Sequence, residues 1–175
     1  IQAKTRTIHK GGGVALYVSN SYKFEFLDEL SIFQEKIFES LFLKISLNSN
    51  TNINICNIYR SPSQPIGFTH AEQLDNFIEI LSNILDRLNE HNCKVYLVGD
   101  FNINLLKFGT HPKTSEFIDK LFSNGYLQLI NHPTRVSNHG NQNSASLIDH
   151  CWTNNISRSY KSGLINTYIS DHFPI

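Results

Sequence analysis

VYLVGDFN, residues 95–102, decides how this sequence is read. The apolar residues Val95, Tyr96, Leu97 and Val98 run into Gly99, and the polar residues Asp100 and Asn102 follow. A short run of β-branched and aromatic residues closed by glycine predicts a buried strand. Side chains alternate along a strand, so if the extended conformation continues, the Asp100 carboxylate and the Asn102 amide share one side. Held together at a strand's end, they can activate a water and hold a phosphate oxygen. The same D-x-N spacing suits an ordinary Asx turn, and alone it does not choose between the two.

Outward from this strand, further apolar runs at Gly13 to Val18, Leu41 to Leu47 and Ile53 to Tyr59 predict strands separated by Gly, Asn, Ser and Pro. Between the third run and Val95 lies a helix signal. Thr69 and Glu72 form a capping box, and Leu74, Phe77, Ile78, Leu81, Ile84, Leu85 and Leu88 follow at helical spacing. A shorter helix is expected from about Ser115 to Asn124, with Phe117, Ile118, Leu121 and Phe122 on one face and Gly125 as its stop. A strand-like YLQLI occupies Tyr126 to Ile130, and the polar stretch from Asn131 to Ser146 reads as a long loop. Strands in series with two helices between them predict an α/β or α+β layered domain, with one domain spanning residues 1–175.

Two more segments carry chemistry. In SLIDH, residues 146–150, apolar residues precede Asp149 and His150; in ISDHFP, residues 169–174, Asp171 and His172 stand together between apolar neighbours. Each alone is weak. Together with Asp100 they give three apolar segments that each end in an aspartate, two of them followed at once by histidine. Metal-assisted phosphodiester cleavage asks for carboxylates to hold a hard cation such as Mg2+, a base for water, and a hydrogen-bonding or cationic group for the phosphate.

Composition narrows the classes. The chain has 175 residues, 40% hydrophobic and 17% charged, with a formal net charge of +0, which suits one globular domain with a core and lacks the basic field of many stand-alone nucleic-acid binders. Cys56, Cys93 and Cys151 are odd in number and lack C-x-x-C spacing, which fits buried thiols in a reducing compartment. His111, His132, His139 and His150 lack zinc-site spacing. No apolar run approaches the roughly 18 residues of a membrane span, and no signal peptide is visible. The sequon at Asn155-Ile156-Ser157 reads as chance.

The ordered set GDFN, SLIDH and SDH resembles the endonuclease/exonuclease/phosphatase superfamily. GGGVALYV at 11–18, NIYRSP at 57–62 and PTR at 133–135 are similar to the apurinic-like endonuclease domains of LINE-type, non-LTR retrotransposons in the jockey and CR1 style. The resemblance covers essentially the whole chain and implies a DNase I-like four-layer α/β sandwich, two packed mixed sheets flanked by helices. It implies a Mg2+-dependent endonuclease, with Mn2+ as a substitute, that nicks double-stranded DNA and leaves a 3′ hydroxyl for an attached reverse transcriptase, in the nucleus at the site of action.

By that resemblance Asp100 orients or deprotonates the attacking water, and Asn102 contacts the phosphate. Asp171 joins the metal site, and His172, oriented by Asp149, stabilises the charged transition state. Tyr59 matches the family's tyrosine at the scissile phosphate. Arg60, Arg135 and Ser146 are candidates for substrate contact; Lys107, Lys113 and Arg158 are weaker candidates for a DNA groove. The family's first Asn and Glu strands precede the Gly-rich strand, so the sequence is expected to be a fragment without them, and Glu39 is not their equivalent. YRSPS at 59–63 departs from the Y-x-P-N of related nucleases. A phosphatase of the same superfamily, acting on inositol phosphates or sphingomyelin, and an inactive remnant are the rivals.

Overall fold

The computed structural model describes residues 2–4, 13–90, 93–139, 142–156, 160–167 and 169–175, without the side chains of 2–4, 138–139 and 142–143. Gly11, Gly12, Ser157 of the sequon, Arg158 and the side chain of His139 lie outside the described residues. In chain order the strands are β1 (Gln2–Lys4), β2 (Val14–Leu16), β3 (Lys23–Phe26), β4 (Phe33–Gln34), β5 (Phe38–Asn48) and β6 (Thr51–Tyr59). After helix α1 (His70–Glu90) come β7 (Val95–Asp100), a 3-10 turn at Leu105–Lys107 and helix α2 (Pro112–Ser123). The remaining strands are β8 (Leu127–Gln128), β9 (Arg135–His139), β10 (Gln142–Ser146) and β11 (Asp149–Thr153).

One seven-stranded sheet dominates, in the order β3-β5-β6-β7-β11-β8 with β4 also on β5. It is mixed: β6 and β7 are parallel, joined through α1, and the other neighbours are antiparallel. Helix α1 begins at the expected capping box, where Thr69 N donates to Glu72 Oε2 (2.8 Å) and Glu72 N to Thr69 Oγ1 (3.2 Å). Its apolar stripe, Leu74, Phe77, Ile78, Leu81, Ile84, Leu85 and Leu88, packs with Phe117, Ile118 and Leu121 of α2 on the sheet face that presents Phe42, Cys56, Ile58, Leu97 and Trp152. Phe77 is the hub, 5.0 Å from Phe38, 6.1 Å from Phe101 and 6.3 Å from Phe117 between ring centroids. The opposite face is crossed by β2, where Asn57 Nδ2 donates to Ala15 O (3.0 Å) and Gly13 N to Glu39 Oε2 (3.1 Å). The layers are helices, mixed sheet and β1–β2 ribbon, an α/β fold of the expected class. No helix covers the outer side of the ribbon among the described residues.

Four sequence expectations change. The loop at 131–146 contains the β9–β10 hairpin, whose Ser and Asn residues carry no apolar alternation to announce it. Helix α2 starts at Pro112, earlier than expected, because His111 caps it through Nδ1 and Pro112 needs no N–H partner in the first turn. Asp149 opens β11 and does not close a strand, and the segment around Asp171 forms a single bridge, Arg135 to His172. Cys56, Cys93 and Cys151 are free thiols, with Cys56 buried. No described helix is long and apolar enough to cross a membrane.

Gly99 is the tightest point of the sheet. It has φ of +135°, and a Cβ there would lie 2.0 Å from Ile58 O on the parallel neighbour. No side chain fits without moving backbone. Gly99→Ala is expected to destabilise the domain by about 3 kcal/mol or more in urea unfolding, while Gly163→Ala, whose Cβ meets nothing, stays within about 0.5 kcal/mol of the parent. An unchanged midpoint for Gly99→Ala would contradict this packing.

Candidate active site

The sheet's register builds the site. Glu39 pairs with Tyr59, Tyr59 with Asp100, and Asp100 with Asp149, so one row across β5, β6, β7 and β11 projects from the face opposite the helices. Behind Asp100 and Asp149, the next residues turn into the core. Phe101 and His150 stack there with ring centroids 4.6 Å apart, both fully buried. His150 Nε2 lies 3.0 Å from Ile103 O and 3.3 Å from Leu147 O, tying the loop after β7 to the entry of β11. Burial drives its pKa down to about 3, so the imidazole is neutral and that nitrogen donates. The two carboxylates are thus fixed side by side by aromatic packing behind them.

Their proximity has an electrostatic consequence. Burial first, and the Asp149 charge second, raise the pKa of Asp100 to about 6, against the opposing pull of the Asn102 N–H and His172. His172 approaches from the C-terminal segment, its Nδ1 3.0 Å from Asp149 Oδ2 and 3.2 Å from Oδ1. Ser170 holds that segment by accepting from His172 N (2.9 Å). Asp100, Asp149 and His172 offer donor atoms all within 4.8 Å of one another, a group that can hold a metal ion. Two crowded carboxylates beside a cleft suit a hard divalent cation, since oxygen donors and relief of their repulsion both favour it. The cleft, about 400 Å3, is lined by Asp100, Asp149 and His172 together with Asn57, Ser170 and Phe173.

Other predicted residues are placed differently. Asn102 lies beyond the strand's end with φ of 49°, and its N–H donates to Asp100 Oδ1 (3.1 Å), an Asx turn. Its side-chain amide donates to Arg60 O (2.8 Å) and, with the backbone N–H, also helps to stabilise the Asp100 carboxylate. Asp171, in the bend before His172, stands outside the triplet: its carboxylate accepts from Arg135 Nε (2.7 Å), which holds its pKa below the usual carboxylate value. Arg135 is therefore engaged with Asp171. Ser146 ends β10, its carbonyl accepting from Thr134 N (2.9 Å), and does not line the cleft.

Arg60, expected to touch substrate, is 5% exposed. Its guanidinium donates to Phe101 O (2.8 Å), Asn102 O (2.5 Å) and Gln73 Oε1 (2.8 Å), clasping the loop after β7 to α1. A buried guanidinium needs several acceptors, and backbone carbonyls at a sharp turn supply them. Burial lowers its pKa to about 10 against the through-space pull of Asp100, so it stays cationic. Sequence reading met Thr134 only as part of the PTR stretch and gave it no role. Fully buried, its Oγ1 accepts from Ile148 N (3.1 Å) and Asp149 N (3.0 Å), and its carbonyl accepts from Phe173 N (2.7 Å). It joins the segments that carry Asp149 and His172, and only its place after Pro133 hinted at a fixed position.

Two stability measurements test this geometry. Thr134→Val leaves two buried N–H groups without an acceptor and is expected to cost roughly 2–4 kcal/mol, whereas Thr134→Ser keeps the oxygen and costs about 1 kcal/mol; equal losses would remove the hydroxyl's role. For Asp100, the folded state holds the proton more tightly than the unfolded chain. Its destabilising effect is absent below the ordinary value of 3.8 and complete above about 6. Without divalent cations, Asp100→Asn should raise the melting temperature by a few degrees at pH 7.5, with the gain gone at pH 4. A gain that persists at pH 4 would contradict the assignment.

Comparison with known proteins accords with this architecture. A family model described as endonuclease-reverse transcriptase matches residues 53–175. No curated protein sequence matches the chain. Among solved structures, the endonuclease domain of TRAS1, a telomere-specific non-LTR retrotransposon, is 15% identical with a TM-score of 0.64, over 89% of this chain and 67% of that one. An endonuclease/exonuclease/phosphatase family protein from Leptotrichia buccalis is 14% identical with a TM-score of 0.54, over 90% and 71%. Beta toxin from Staphylococcus aureus is 15% identical with a TM-score of 0.50, over 77% and 54%. At such identities the likeness is one of fold, and it is the family model, matched over more than half of the sequence, that identifies the chain as a member of the endonuclease-reverse transcriptase family.

Proposed function

We propose that this domain is a divalent-metal-dependent endonuclease that nicks double-stranded DNA and hands the resulting 3′ hydroxyl to a reverse transcriptase in the same protein. The observation that carries the reading is the Asp100, Asp149 and His172 group beside an open cleft. The match to a family described as endonuclease-reverse transcriptase supports both the nuclease and its linked polymerase.

Asp100 and Asp149 would hold the cation, Mg2+ or Mn2+, through their oxygens. When bound, it would act as a Lewis acid, polarising the phosphate and lowering the pKa of a bound water. Asp100 is suited to orient the attacking water and take its proton, because it lines the cleft within the group that would hold the cation. Its Oδ1 is fixed by Asn102 N–H, which holds the carboxylate at the cleft. His172, whose Nδ1 is held by Asp149, presents Nε2 to a phosphate oxygen, where it stabilises the added negative charge. The register of Tyr59 with Asp100 supports a contact between Tyr59 and the same phosphate. The water oxygen bonds to phosphorus, the P–O3′ bond breaks, one proton passes to Asp100 and another reaches the departing O3′.

Supercoiled plasmid with Mg2+ tests this directly. The parent domain should convert it to the nicked circle, and Asp100→Ala and His172→Ala should each lower the rate by at least about a hundredfold. In parallel, Mg2+ should raise the parent's melting temperature at pH 7.5 and leave that of a double Asp100→Asn, Asp149→Asn variant unchanged. No nicking by a folded parent, with no shift on adding Mg2+, would overturn the reading.

A further inference from the structure

A second cavity lies on the other side of the loop after β7. It measures about 200 Å3, is lined by Arg60, His70, Leu74, Asn102, Ile103, Asn104, Lys107, His111 and Thr114, and shares no lining residue with the catalytic cleft. No carboxylate lines it. Its floor holds the Arg60 guanidinium, a buried cation whose hydrogen-bond partners, Phe101 O, Asn102 O and Gln73 Oε1, are all uncharged. Its rim carries exposed His70, Lys107 and His111. Helix α2 begins there, just after the capping His111 and with no acid in its first turn, so its positive end adds to the same field, while α1, which starts at His70, is already capped by Glu72.

A buried cation whose hydrogen-bond partners are all neutral and whose counter-charge, Asp100, lines the other cleft, under a rim of N–H donors and an ammonium, makes a concavity that favours an anion. The imidazoles of His70 and His111 can donate to a phosphate oxygen in either protonation state. Asn102, in the wall of this cavity, is also the residue whose N–H holds the Asp100 carboxylate. An anion bound here therefore sits beside the reacting centre without touching it. We propose that the cavity formed by Arg60, His70, Asn102, Asn104, Lys107 and His111 is a second phosphate site, which grips the DNA backbone next to the bond being cut.

This inference rests on the DNA reading above and gives Arg60 a role in binding that its burial would otherwise deny it. The guanidinium acts as a fixed charge below the surface, and Lys107 makes the direct contact. A neutral chain thereby concentrates its positive potential where the substrate strand passes, in place of a general basic surface.

The test is binding of the full chain to a fluorescent 20-base-pair duplex, without divalent metal, at several salt concentrations between 50 and 200 mM KCl. Lys107→Ala should weaken binding about three- to tenfold and reduce the slope of log K against log salt by about 0.9. His70→Ala combined with His111→Asn, which keeps a cap on α2, should weaken binding by a similar factor. Lys44→Ala, beside Glu25 on the sheet's opposite end, should leave affinity and slope unchanged. If the parent nicks plasmid while the Lys107 and histidine variants bind like the parent, this site alone is overturned. A Lys44→Ala loss equal to that of Lys107→Ala overturns it as well. A parent that neither binds the duplex nor nicks overturns both this inference and the function it rests on.

Discussion

The pairing of Asp149 with Asp100 across β11 and β7 is the constraint on which the site depends. Antiparallel register sets two carboxylates next to each other on one face, and the rings of Phe101 and His150, stacked behind them, keep them from moving apart. The folded protein accepts a buried carboxylate beside a like charge: burial first and the Asp149 charge second raise the pKa of Asp100, the crowded pair attracts a cation, and Asp149 orients His172 through Nδ1. Packing strength in the core is converted into electrostatic strain at the surface. Similar arrangements of displaced acids are a common mark of catalytic sites.

The loop after β7 shows how neighbouring functions share one support. Asp100, Phe101 and Asn102 occupy successive positions, yet the first faces the cleft, the second enters the core and the third adopts a left-handed conformation that returns its N–H to Asp100. Arg60, itself held by Gln73 Oε1, donates to the loop's carbonyls from below. Thr134 performs the same service for the opposite strand, presenting one oxygen to two consecutive amides. Neither Arg60 nor Thr134 lines the cleft, but each fixes a residue that does.

Much of this was legible in the residues alone. Periodicity located α1 and its capping box, and the apolar runs located β5, β6 and β7, because burial on a sheet or helix face leaves a regular pattern. The hairpin of β9 and β10 left none, since its polar residues are ordered by backbone pairing and not by burial. At the site, Asp100, Asp149 and His172 were recognisable as acids and an imidazole at the ends of apolar segments. The directions of Asp171, Asn102 and Arg60 were not, because each depends on one backbone dihedral or one partner far away in sequence. Arg135, 36 positions before Asp171, is such a partner.

The sheet's borders bear on how the chain behaves at high concentration. At one side β8 is only two residues long; at the other, β3 alternates Lys23 and Glu25 with phenylalanines, and β4 covers two residues of β5. Strands so short or so charged offer little unpaired backbone to a neighbouring molecule, and a mismatched charge meets any strand that tries to add. Seven strands of largely apolar sheet would otherwise be a template for aggregation. Here the sheet is closed at its margins by brevity and charge, which leaves crowded copies free to remain separate molecules.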